Sequence, residues 1–188
     1  MAEQHKRDSR MLVVFSHGKE SGPKGRKIEA LAAIARSMGA ATLSVNYREY
    51  PEGVAHDHDR PGEPERRVAQ LLATSLPEHD RLVLVGSSMG AYVSAVAAAH
   101  LKVDGLFLLA PAIAMPGYAE QQPLAPARQC AIVHGWQDEL IPWERVARWA
   151  SQNGSRTLHL LQGDHRLDGA LPKIEPIFRL FLTNEIDQ

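Results

Sequence analysis

Val83-Leu84-Val85-Gly86-Ser87-Ser88-Met89-Gly90-Ala91 decides the reading of this chain. An apolar run passes directly into Gly-x-Ser-x-Gly and then into an alanine-rich segment. The pattern predicts a strand, a sharp turn and a helix, with Ser88 at the apex. A serine held in such a turn is strained. The positions two before and two after it must be small so that strand and helix can approach each other. Gly86 and Gly90 occupy those positions. Short glycine–serine runs also make ordinary turns. The flanking strand and helix, and an acid and a histidine further along, set this one apart.

Working outward, strand-like and helix-like segments alternate along the sequence. Leu12–Phe15 is a continuous apolar run, as expected of a strand covered on both faces. Ile28, Leu31, Ala32, Ala35 and Met38 then recur at helical spacing, with Gly39 placed to end that helix. Strands are expected at 41–45, 82–85, 106–109, 130–133 and 157–161. The helix between the second and third strands carries Val68, Leu71, Leu72 and Leu76. The one after Ser88 should run to about His100. The next opens with Pro142 at its first helical position, and the last should begin near Pro176 and carry Ile177, Phe178, Phe181 and Leu182. Six strands alternating with helices predict a three-layer α/β domain with a mostly parallel sheet. Its ligands would bind beyond the carboxyl ends of the strands.

A length of 188 residues suits one domain. We read residues 1–10 as a polar N-terminal tail and residues 11–188 as a single domain. A net charge of −1 implies no bulk attraction to nucleic acid or to a membrane surface. No apolar segment has the length of a bilayer span, and a cytoplasmic protein is expected. The single cysteine, Cys130, opens an apolar run and reads as a buried structural thiol. Nothing in the sequence specifies an oligomeric state.

Three groups fall at the carboxyl edge of the expected sheet. Ser88 follows the third strand, Asp138 the fifth and His165 the sixth. Serine acyl transfer needs a base to take the hydroxyl proton and an acid to orient that base. Glu139 competes with Asp138 for the acid's place. No carboxylate follows the fourth strand in Ala110-Pro111-Ala112.

The elbow Gly86-Ser87-Ser88-Met89-Gly90, the block His134-Gly135-x-x-Asp138-x-x-x-Pro142 and the pair Asp164-His165 together resemble the α/β-hydrolase superfamily, here in a compact, lidless, esterase-like form. The resemblance covers nearly the whole chain. It implies a six-stranded α/β-hydrolase fold of strand order 2-1-3-4-5-6, lacking the two leading strands of larger members. It further implies a Ser88-Asp138-His165 triad and an oxyanion hole built from the amides of Met89 and of Lys19, with Gly18 as the alternative second donor. Ser16-His17-Gly18-Lys19 looks like that family's His-Gly-x oxyanion loop.

The activity so implied is hydrolysis of carboxylic esters of small or short-chain acyl groups, with no metal or organic cofactor. A thioesterase or peptidase would use the same triad. An acyltransferase would need a site that excludes water, and a binding domain with vestigial turnover is the reading from another class. The partner is a small-molecule acyl substrate. His17, Met115, Tyr118 and Trp136 are candidate substrate contacts, with His17 also suited to shaping the loop. Trp143 and Trp149 are expected to pack. His56-Asp57-His58-Asp59 mixes metal-ligand types but reads as a solvated loop. Lys24, Arg26 and Lys27 read as solubilising the start of a helix, with contact to an anionic substrate as the alternative.

Overall fold

The computed structural model describes residues 10–50 and 57–186. Six strands, β1 (Met11–Ser16), β2 (Ala41–Val45), β3 (Arg81–Ser87), β4 (Gly105–Leu109), β5 (Gln129–Gly135) and β6 (Arg156–Leu161), form one sheet of order β2-β1-β3-β4-β5-β6. Every neighbouring pair is parallel. Five helices connect or follow them: α1 (Arg26–Ser37), α2 (Glu63–Ala73), α3 (Met89–Ala97), α4 (Trp143–Ala150) and α5 (Leu171–Ile186).

The edge strands β2 and β6 are partly exposed and carry polar residues, whereas the inner strands β1, β3, β4 and β5 are mostly apolar and buried because both faces of the sheet are covered there. Alternation along β1 shows how. Leu12 and Val14 join a core with residues of α2, α3 and α4, while Met11, Val13 and Phe15 join a second core with α1 and α5. Among the described residues no helix is long and apolar enough to cross a membrane. Cys130 is buried, and its burial pushes the thiol up to about 12.

Four expected boundaries shift. Helix α2 ends at Ala73, leaving Leu76 beyond it. Pro142 has an extended backbone (φ −55°, ψ 130°) and precedes α4 as its cap rather than forming its first residue. Helix α3 ends at Ala97, short of His100. Helix α5 begins at Leu171 and carries Pro176 in its interior. Proline there removes one helical hydrogen bond, but Ile174, Phe178, Phe181 and Leu182 are all buried in one core, and that packing carries the helix through. The other departure is chemical. The buried residues of α2 are Glu63, Pro64, Arg67 and Leu71, so two charges lie on the stripe where apolar residues are expected.

Two glycine contacts draw the site together. A Cβ on Gly90 would lie 2.0 Å from the Ser16 carbonyl oxygen, so α3 sits directly against the end of β1. A Cβ on Gly135 would lie 2.3 Å from the Gly163 oxygen, which brings the loop after β5 against the loop after β6.

Candidate active site

Ser88 stands between β3 and α3 with φ 55° and ψ −118°. A non-glycine residue held there stores roughly 1–3 kcal/mol of strain. The backbone is pinned by hydrogen bonds from the Ser88 amide to Leu109 O (2.8 Å) and from the Ala112 amide to Ser88 O (3.3 Å). Ser88 occupies the N-cap position of α3, where a serine hydroxyl ordinarily accepts from the first turn. Here it makes no cap bond, and its Oγ lies instead 2.8 Å from His165 Nε2. The first amides of α3 thus lose their side-chain acceptor while the hydroxyl gains a basic partner.

His165 sits in the loop after β6, with its Nδ1 2.7 Å from Asp138 Oδ2. A carboxylate only accepts, so the proton is on Nδ1 and Nε2 is free to accept from Ser88. Asp138 is fixed from the other side by the Leu140 and Ile141 amides, which donate to Oδ1 at 3.0 and 2.8 Å. Burial works against its ionised form. The hydrogen bonds from His165 and the Ile141 amide overcome that and hold its pKa below the usual carboxylate value. Glu139 is exposed, so the choice between neighbouring acids is made by burial and contact. Asp164 accepts from the Leu167 amide (3.0 Å) and shapes the turn that carries His165.

The structure adds His134, which the sequence offered only as part of a block. It is fully buried. Its Nε2 lies 2.9 Å from the Ile141 carbonyl oxygen and 3.3 Å from Asp138 Oδ2, so it donates there as a neutral imidazole. Burial lowers its pKa, in keeping with that form.

The loop after β1 lies against the serine. A Cβ on Gly18 would be 3.6 Å from Ser88 Cβ. The Lys19 ammonium pairs with Asp59, away from that contact. Of the two roles expected for His17, its contacts are those of shaping the loop. The ring is 1% exposed, Nε2 accepts from the Tyr47 amide (3.1 Å), and Nδ1 therefore donates to Gly18 O (2.8 Å). Both nitrogens are committed to the loop.

Burial lowers the His17 pKa from 6.5 to about 4. The unfolded chain therefore binds the extra proton first as pH falls, and this contribution to stability is lost between those two values. The full window corresponds to on the order of 3 kcal/mol. Urea melts at about pH 7 and about pH 4.5 should show a larger loss for the native chain than for His17→Gln; equal losses would remove His17 as the cause.

Met115 and Tyr118 lie in the β4–β5 segment, half-buried against the core beside α2, α3 and α4. The Tyr118 ring meets Tyr92 edge-on at 4.6 Å. The segment is tied to the body by the Ala119 amide on Glu65 (2.8 Å) and the Glu120 amide on the Tyr92 hydroxyl (3.1 Å). Trp136 is 47% exposed and meets Trp143 edge-on at 5.0 Å, whereas Trp149 is buried as expected. Lys27 does more than solubilise α1, because its ammonium donates to the Arg166 carbonyl beside His165.

His56 lies outside the described residues. Its neighbour Asp59 pairs with Lys19 and with His58. Among the described residues no group of three or more histidine, cysteine or acidic side chains could hold a metal ion.

A parallel sheet with a strained serine at one strand end, hydrogen-bonded in series to a histidine and a buried acid from two others, places the chain among the α/β hydrolases. The model of the alpha/beta hydrolase domain matches residues 9–171, and the chain belongs to that family. It is similar to a protein of the alpha/beta hydrolase superfamily from Xanthomonas campestris pv. campestris, at 29% identity over 93% of this chain and 99% of that one, with a TM-score of 0.78. A serine hydrolase without a lid, from Xanthomonas campestris, shares the fold at 24% identity (97% and 85% coverage, TM-score 0.72). So does Est1E from Butyrivibrio proteoclasticus, at 18% identity (97% and 91% coverage, TM-score 0.75). No curated protein matches the sequence.

Proposed function

We propose that the protein is a carboxylesterase that acts on small or short-chain acyl groups through an acyl-enzyme. The observation that carries this reading is the unbroken series Ser88 Oγ, His165 Nε2, His165 Nδ1, Asp138 Oδ2, with contacts of 2.8 and 2.7 Å. His165 takes the Ser88 proton as Oγ attacks the ester carbonyl. Asp138 holds the imidazole in the required tautomer and stabilises its charged form. The Met89 and Lys19 amides, with Gly18 beside them, receive the oxyanion. Collapse of the tetrahedral species expels the alcohol with the proton from His165. Water, deprotonated by the same nitrogen, then attacks the acyl-enzyme, releases the acid and restores Ser88.

The preference for small acyl groups rests on the β4–β5 segment. It is bonded to Glu65 and Tyr92 on the body and carries no helix or strand among the described residues. Such a segment does not cover a long chain. Trp136, exposed two residues before Asp138, would wall one side of the acyl or alcohol group.

The test is the intact mass of the native protein after exposure to a fluorophosphonate, followed by rates on p-nitrophenyl esters of graded chain length and on matched thioesters. A single adduct on the Ser88 peptide, with rates highest for the shortest esters, is the expected result. A folded protein that takes no adduct would sink the triad reading and favour a binding domain. Faster turnover of thioesters would move the substrate class and leave the mechanism in place.

A further inference from the structure

The buried ion pair on α2 has no place in the chemistry described so far, and its position is unusual. Glu63, Arg67 and Leu71 succeed one another at intervals of four on one helical face, all at 1% exposure or less. Replacing a buried ion pair by apolar residues is often neutral or stabilising. The geometry of Arg67 points instead to a task at the neighbouring loop.

Each arm of the guanidinium is committed. Nε donates to Glu63 Oε1 at 2.7 Å. Nη1 reaches the carbonyl oxygens of His17 (3.4 Å) and Gly18 (3.2 Å), and Nη2 that of Lys19 (3.3 Å). One planar fork thus gathers the carbonyls of three consecutive residues. The Gly18 carbonyl also accepts from His17 Nδ1 at 2.8 Å.

In a trans peptide the N–H points opposite to the C=O of the same unit. Carbonyls turned together toward Arg67 therefore turn the Gly18 and Lys19 amides together the other way. Successive amides aligned like this form an anion-binding concavity. Neither amide donates to a protein acceptor among the described residues, and Gly18 packs against Ser88.

We propose that Arg67 is a positioning residue for the oxyanion loop: its buried guanidinium, held by Glu63, fixes the peptide planes of residues 17–19 so that their amides face the carbonyl attacked by Ser88. This rests on the acyl-transfer reading above. Glu63 is well suited to keep the fork in place. Burial opposes its ionised form, but hydrogen bonds from Arg66, Arg67 and Tyr50 bring it down to about 2. An ammonium cannot reproduce a planar fork with fixed donors.

The experiment compares the native protein with Arg67→Lys, using kcat and KM on p-nitrophenyl acetate, the affinity of a boronic acid that forms a tetrahedral adduct on Ser88, and the melting temperature. Removing one oxyanion donor outright costs about 10²–10³ in kcat. A misaimed loop should lower kcat by ~10–100-fold, leave KM within about twofold, and weaken the boronate by the same factor as kcat/KM. A lower melting temperature with unchanged kcat and boronate affinity would mean that Arg67 only stabilises the fold, and would overturn the proposal. If Arg67→Lys does not fold, the pair Glu63→Gln/Arg67→Met removes both buried charges at once and is read on the same ratio. A native protein that neither hydrolyses the ester nor takes the fluorophosphonate overturns the acyl-transfer reading, and this proposal with it. Active native enzyme with an equally active variant overturns the positioning role alone.

Discussion

Replacing Ser88 by alanine is expected to lower kcat for a short-chain ester by ~10⁴–10⁶-fold and to abolish the fluorophosphonate adduct, while the protein stays folded. Oγ is the atom that would bond to the acyl carbon. Without it no acyl-enzyme can form, and His165 is left only with direct activation of water. The remaining oxyanion donors still support roughly 10³-fold catalysis over water, so a small residual rate is compatible with the reading. The melting temperature should change little, because alanine adopts the positive φ of residue 88 with the same strain and Oγ makes no capping bond that the helix would lose. Turnover in Ser88→Ala near the native rate would remove Ser88 from the mechanism.

Gly90→Ala should be among the most damaging single methyl additions to the fold. The added carbon would lie 2.0 Å from the Ser16 carbonyl oxygen, 2.5 Å from its carbon and 2.6 Å from the His17 oxygen. All three are backbone atoms, so no rotamer change relieves the overlap, and α3 must separate from β1. We expect a loss of about 3 kcal/mol or more, or roughly 6–12 °C in melting temperature for a chain of this size. Activity should fall as well, because the atoms displaced lead directly into the loop after β1 that lies against Ser88. Gly154→Ala is the control: nothing lies within 4 Å of its Cβ position, and its melting temperature should be unchanged within error. Similar melting of the two variants would contradict the close approach at Gly90.

The strands and the Ser88 turn were legible because each depends on a pattern confined to a few neighbouring residues, whereas the strand order was implied only by the resemblance to the α/β-hydrolase superfamily. Continuous apolar runs marked β1, β3, β4 and β5, short apolar-rich stretches marked β2 and β6, and small residues flanking Ser88 marked the elbow. Pro176 misled for the same reason. It is a local stop signal, and the burial of Ile174 and Phe178 on either side of it outweighs that signal.

Arg67 was passed over because a charged residue in a polar stretch reads as solvated. The available signal was Glu63, Arg67 and Leu71 at helical spacing on one face. Their burial depends on the β1 loop arriving from 49 residues away to present its carbonyls. His134 and Tyr47 were missed similarly, since their partners are a carboxylate fixed by a loop and a ring across the sheet edge.

Local periodicity and turn chemistry thus carry the alternation of strands and helices, the strained turn at Ser88 and the chain order Ser88, Asp138, His165. Folding in three dimensions decides which acid meets His165 across 27 residues, and it brings the His17 ring and the buried Arg67 guanidinium together on the Gly18 carbonyl oxygen. Those outcomes turn on contacts of about 3 Å between distant segments, a scale on which a pattern of neighbours carries no information.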